Sequence, residues 1–176
     1  SNSRYKLTFS YGTGVSRDVM ADIVILAIPF TILRNIEIKV DLPHWKRHAI
    51  NNLGYGTNAK LVMGYTKRFW QSIGKSGEAF TQHDFQLGWD SSELQQTVNA
   101  SYSFYLGGSQ GINLASGTPQ YQFDRLKSGL ESVMPGMNDY HNGIVQRAQW
   151  PSNPYSLGSY SCFTPGQWTT ICGNEG

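Results

Sequence analysis

The order of apolar and polar residues predicts a chain of alternating strands and helices. Residues 4–10, RYKLTFS, alternate with the two-residue period of a strand, and YGTG supplies a turn after them. Residues 22–28, DIVILAI, form a continuous apolar run rich in β-branched side chains and stopped by Pro29. That pattern predicts a strand buried on both faces, as in a parallel sheet. DLPHWKRHAINNLGYG predicts a helix with Asp41 as its cap and Pro43 in its first turn. Trp45, Ala49, Ile50 and Leu53 share one of its faces, and Gly54 stands at the expected stop.

Residues 55–70, YGTNAKLVMGYTKRFW, contain a strand in which Lys60 stands among Ala59, Leu61, Val62 and Met63. A Gly/Ser-rich turn follows, QSIGKSGEA, and the sequence stays irregular to about residue 100. ASYSFYL, residues 100–106, predicts a strand ended by Gly107-Gly108. A second helix begins at Thr118 and Pro119, carries Phe123, Leu126, Leu130 and Val133 at helical spacing, and stops at Pro135-Gly136. IVQRAQW, residues 144–150, predicts a short strand. Residues 151–176 are rich in Gly, Pro, Ser and Thr and predict no strong element, yet carry Tyr155, Tyr160, Phe163 and Trp168. That mismatch leads to the expectation that the chain stops before its structure does. The fold class expected is α+β: a mixed β-sheet with packed helices.

Composition narrows the function only a little. The chain has 176 residues, 39% hydrophobic and 15% charged, which suits one globular unit with a real core. A net charge of +2 favours neither nucleic acid nor a membrane surface, and no apolar run is long enough to span a bilayer. Cys162 and Cys172 read as reduced thiols. His44, His48, His83 and His141 lack the spacing of zinc ligands, so no metal is expected. The compartment is left open, with the cytoplasm favoured.

Three stretches could carry chemistry. GTGVSR, residues 12–17, begins like a dinucleotide-binding loop but has Arg17 in place of the third glycine and no helix behind it, so it reads as a hairpin turn. Lys60 has two readings. A lysine in an apolar strand either snorkels or pairs with a carboxylate, or presents its amine to a cofactor pocket. WPSNPYSLGSY, Trp150 to Tyr160, sets two large aromatics around a Pro/Gly-rich loop. It is either a loop clamped to the core or a wall for a flat ligand.

Taken together and in order, these stretches resemble the flavin-containing amine oxidase family, the monoamine, polyamine and L-amino-acid oxidases. The resemblance lies in ADIVILAIPFTILRNIEI, in LPHWKRHAINNLGYGTNAKLVMGYTKRFW, and in QWPSNPYSLGSYSCFTPGQW. It implies that Lys60 is catalytic and holds a water against the flavin N5. It implies that Trp150 packs on the flavin ring and that Tyr160 is a wall of the cage that aligns the substrate amine. Ser159 falls where some members carry a cysteine bound to FAD, so the resemblance implies non-covalent FAD.

The resemblance also implies a reaction. An amine or amino acid loses hydride to the flavin, and oxygen reoxidises the flavin to give hydrogen peroxide. By analogy residues 1–43 belong to an FAD-binding α/β domain, 44–150 to a substrate-binding domain, and 151–176 to a return segment. The family's Gly-rich βαβ unit is not in this sequence, so the chain alone is expected to be inactive and to lack tightly held FAD. The alternatives are a non-catalytic binding module on the same scaffold, or another flavoprotein of the superfamily such as a desaturase or protoporphyrinogen oxidase.

Overall fold

The computed structural model describes residues 4–12 and 14–175. Strand β1 (Tyr5–Tyr11) pairs antiparallel with β2 (Val15–Ala21), from Tyr5 opposite Ala21 to Tyr11 opposite Val15. The hairpin reading of residues 12–17 therefore agrees with the pairing; Thr13 lies outside the described residues. Strand β2 is not predicted by its sequence pattern. VSRDVMA has no apolar alternation, and its position is set by cross-strand polar contacts. The Thr8 hydroxyl donates to Asp18 at 2.7 Å, and Lys6 lies 3.3 Å from the same carboxylate.

Residues 22–28 correct an expectation. The apolar run belongs to no strand; it is irregular, with Ile23 80% and Ile25 85% exposed. A strand buried on both faces needs a paired neighbour on each side and a layer above and below. No described strand pairs with this segment. Composition set its hydrophobicity, but pairing decides whether it becomes a strand.

The main sheet has the order β4-β5-β6-β3-β7. Its strands are β3 (Ala59–Tyr65), β4 (Ala79–Phe80), β5 (Leu87–Asp90), β6 (Ala100–Leu106) and β7 (His141–Gln149), and the helices in chain order are α1 (Phe30–Leu33), α2 (His44–Asn52), α3 (Phe69–Ser72), α4 (Gly108–Asn113), α5 (Pro119–Val133) and α6 (Gln167–Thr170). The α+β class holds, and every described ladder is antiparallel. Burial alternates along β3: Ala59, Leu61, Met63 and Tyr65 are fully buried, whereas Lys60, Val62 and Gly64 lie on the less buried face. The buried side packs with Tyr102, Phe104 and Leu106 of β6 and with Phe123, Leu126 and Leu130 of helix α5 (Pro119–Val133). The Thr118 side chain caps α5 by accepting from the Tyr121 amide at 3.1 Å.

The first predicted helix is displaced at its start. Helix α2 (His44–Asn52) follows Pro43, so Asp41 is not its cap. Pro43 takes the extended conformation of that position (ψ 143°) and has no side-chain acceptor to offer. Ala49, Ile50 and Leu53 are buried, but Trp45 is half exposed. Ala49 and Leu53 join Ile171 in a smaller apolar cluster with Phe30, Tyr55 and Phe163.

The segment from 151 onwards has one short helix, α6 (Gln167–Thr170), as its low periodicity predicts. It is ordered by lying antiparallel against residues 54–56. The Gly56 amide donates to the Tyr160 carbonyl at 2.8 Å, Ser159 N–H to the Gly56 carbonyl at 2.9 Å, and Cys162 N–H to the Gly54 carbonyl at 2.8 Å. Gly54 is required by this approach rather than by a helix stop: a Cβ there would sit 2.3 Å from the Cys162 carbonyl oxygen. No helix among the described residues is long and apolar enough to cross a membrane.

Candidate functional site

The alternation of β3 answers why an apolar strand carries an ammonium. Lys60 is on the face away from α5, so its burial among the core residues never arises. The registers then assemble a row across three strands. Lys60 stands opposite Tyr105 of β6, and Tyr105 stands opposite Leu87 of β5. Trp89, two residues along β5, projects on the same face as Leu87. Tyr102 and Phe104 fall in the core, whereas Tyr105 lines the cleft.

The opposite wall comes from the end of β7 and the loop after it. Lys60 pairs with Ala148, so Trp150, two residues on, leaves the sheet on the same face as Lys60. Residues 150–158 then close on themselves: the Trp150 carbonyl accepts from the Asn153 amide, the Ser156 hydroxyl and the Gly158 amide. Leu157 adopts a left-handed φ of 48°, a strained conformation for a leucine. The closure returns the chain to Ser159 and Tyr160 beside Trp150. Ser159 is held by Asn58, whose side-chain oxygen accepts from the serine hydroxyl at 3.1 Å.

Lys60, Trp150, Ser159 and Tyr160 thus line one open cleft of about 550 Å³, in the size range of small-molecule sites. Asn58, Leu87 and Trp89 line it too and were missed in the sequence. Asn58 was recoverable, being two residues before Lys60 and so on its face. Trp89 was not, because β5 is too short to show a period.

The electrostatics are simple. Lys60 Nζ lies 5.4 Å from the Trp89 ring centre and 5.8 Å from the Tyr105 ring centre. Such contacts stabilise a cation by about 0.5–1 kcal/mol when exposed and about 2 kcal/mol when desolvated. No carboxylate among the described residues forms an ion pair with it. The Tyr105 phenol donates to the Tyr160 oxygen at 3.0 Å. Burial, and then this hydrogen bond, push Tyr105 up to about 12. Trp150 is 41% and Tyr160 54% exposed, so both keep open aromatic surface.

A model of flavin-containing amine oxidoreductases matches residues 1–173. The chain belongs to the flavin-containing amine oxidoreductase family. Among relatives of this family, polyamine oxidase 2 of Arabidopsis thaliana is 38% identical over 150 residues, covering 81% of this chain and 29% of the relative. The L-amino-acid oxidase of Echis ocellatus is 25% identical over 182 residues, covering 94% of this chain and 34% of that protein. The cyclohexylamine oxidase of Brevibacterium oxydans IH-35A shares the fold with a TM-score of 0.80 at 18% identity, over 98% of this chain and 38% of that one. The chain therefore spans about a third of the length of the proteins it matches.

The residues suit a flavin. Exposed aromatic faces gain by covering a flat conjugated ring. An ammonium whose contacts are ring faces rather than carboxylates keeps its N–H donors available to a water or a polar ring atom. Ser159 offers a hydroxyl and no thiol. No glycine-rich strand–turn–helix unit of the kind that cradles a dinucleotide's phosphates occurs among the described residues. They also hold no cluster of metal-ligating side chains, and both cysteines are free and exposed.

Proposed function

We propose that this chain is the part of an FAD-dependent amine or L-amino-acid oxidase that brings the substrate amine to the cofactor. The observation that carries the reading is the position of the Lys60 ammonium in a cleft whose other wall is Trp150 and Tyr160. The names of the relatives, polyamine and L-amino-acid oxidases, support the substrate class. FAD, bound non-covalently in the full-length protein, would supply the hydride acceptor, with oxygen as the final electron acceptor and hydrogen peroxide as its product.

The protein's part is orientation, desolvation and proton handling. Lys60 holds a water at Nζ within the cleft it shares with Trp150. Trp150 and Tyr160 give flat apolar walls, the first to the cofactor ring and the second to the substrate. Within those walls a positive Lys60 disfavours a second cation, so the substrate amine is held neutral, with its lone pair available. A neutral amine that loses hydride from its α-carbon becomes an iminium, which water hydrolyses. By the family analogy residues 1–43 and 151–176 fall on the cofactor side and 44–150 on the substrate side; the smaller apolar cluster packs Phe30, Phe163 and Ile171 against Ala49, Leu53 and Tyr55, across that division. Helix α2 forms the contact between the two.

The test is peroxide release by the full-length protein from a panel of amines and amino acids, run beside Tyr160→Ala. Release from an amine, with Tyr160→Ala raising KM while FAD is retained, is the expected result. Turnover of isoprenoid substrates with no peroxide from any amine would replace this reading with the desaturase-like one.

A further inference from the structure

The aromatic pair around Lys60 has a geometry that neither a core nor a simple wall requires. Trp89 and Tyr105 are 5.9 Å apart with their planes at 63°, an open V, and Lys60 Nζ lies within 6 Å of both ring centres. We propose that Trp89 and Tyr105 are positioning residues that clamp the Lys60 ammonium between their ring faces. The inference deepens the oxidase reading and takes its functional meaning from it.

Three features support the clamp. First, a lysine has a long flexible stem and must be held to place one nitrogen in a cleft. A carboxylate would hold it but would also neutralise it and occupy its donors. Ring faces hold the charge without accepting its N–H bonds in the ordinary way, which leaves those donors for a water or ligand. Second, Trp89 is itself fixed. Its neighbour Asp90 pairs with Arg68 at 3.3 Å, accepts from the Trp70 indole at 3.2 Å, and accepts from both the amide and the hydroxyl of Ser92 at 2.8 Å. The pair is buried, so the end of β5 is tied down beside the clamp. Third, Tyr105 is fixed twice, by its ladder position opposite Lys60 and by the hydrogen bond it donates to Tyr160. The same ring therefore sets both the lysine and the substrate wall.

The experiment measures the rate at which an amine-reactive ester labels Lys60 in the full-length protein, read by mass spectrometry against the exposed Lys39 in the same sample. Trp89→Leu is expected to raise Lys60 labelling about threefold to tenfold, with Lys39 unchanged. Trp89→Phe, which restores a ring, should bring the rate back towards the wild-type value and guards against a mere folding defect. Tyr105→Phe keeps the ring face and loses only the hydroxyl. It should leave Lys60 labelling within about twofold of wild type while raising the KM for the amine. Wild-type labelling in Trp89→Leu would overturn the clamp, as would equal increases in Trp89→Leu and Trp89→Phe. Labelling needs no turnover, so it separates the two ideas. A raised rate in a protein that oxidises no amine would keep the clamp and remove the oxidase reading.

Discussion

The Tyr105 phenol donates a 3.0 Å hydrogen bond to the Tyr160 phenol, joining the third strand of the main sheet to the irregular segment that follows Trp150. The sheet supplies a rigid row, Lys60–Tyr105–Leu87, and the loop supplies Trp150, Ser159 and Tyr160. A cleft exists only where the two are held in register.

Gly54→Ala should detach the loop. Its new Cβ would press on the Cys162 backbone carbonyl, which can move only if the tail moves. A loss of about 1–3 kcal/mol is expected from denaturant unfolding, with new protease cleavage between residues 151 and 170. Gly56→Ala should be milder, because the atoms it meets, the Ser159 hydroxyl and the Asn58 side-chain oxygen, lie at the ends of side chains.

Asp90→Ala leaves the Arg68 guanidinium, 13% exposed, without its carboxylate. Removing one partner of a buried pair costs about 3–5 kcal/mol. Calorimetry should show that loss. Asp90→Asn, which keeps the shape and part of the hydrogen bonding, should recover part of it.

Stability should decline in strong alkali. Burial pushes the Tyr65 and Tyr102 phenols well above their ordinary value of 10, and Tyr105 up to about 12. The unfolded chain loses these protons near pH 10 while the native protein keeps them, so the unfolded state then binds fewer protons and folding stability falls as pH rises. The contribution is complete below about pH 10 and is lost progressively as pH rises above it, through the raised native values. Thermal melts should show it, and Tyr102→Phe should flatten the slope. The Tyr102 hydroxyl is buried with no hydrogen-bond partner among the described residues, so its removal should cost less than about 1 kcal/mol at neutral pH.

A flavin titration of the chain by itself should show weak binding or none. The aromatic cleft can cover a ring, but no described unit grips the phosphates. Tight stoichiometric binding would contradict this division of labour.

Much of this was legible in the sequence where the period was long. The strands of Lys60 and Tyr105 and the helix behind Thr118 carry seven to fifteen residues of clear pattern. The four residues of β5 carry too little, so Trp89 stayed hidden. Residues 22–28 failed for the opposite reason. Their pattern was strong, but a doubly buried strand is a property of its neighbours. The pattern of β6 does not say which of its side chains face a cleft; the register does, by setting Tyr105 opposite Lys60 while Tyr102 and Phe104 join the core. Trp150 and Tyr160 stand out locally as two aromatics around a Pro/Gly-rich loop, but only the resemblance links them to Lys60, since no local rule brings residue 160 to residue 60.

The most direct measurement is rapid-reaction kinetics of Lys60→Met in the full-length protein, with flavin reduction by the amine and reoxidation by oxygen followed separately. A charge held beside the cofactor predicts that at least one half-reaction slows by about a hundredfold or more while the flavin stays bound. Near-normal rates in both would contradict the account and leave Lys60 an ordinary surface-facing lysine.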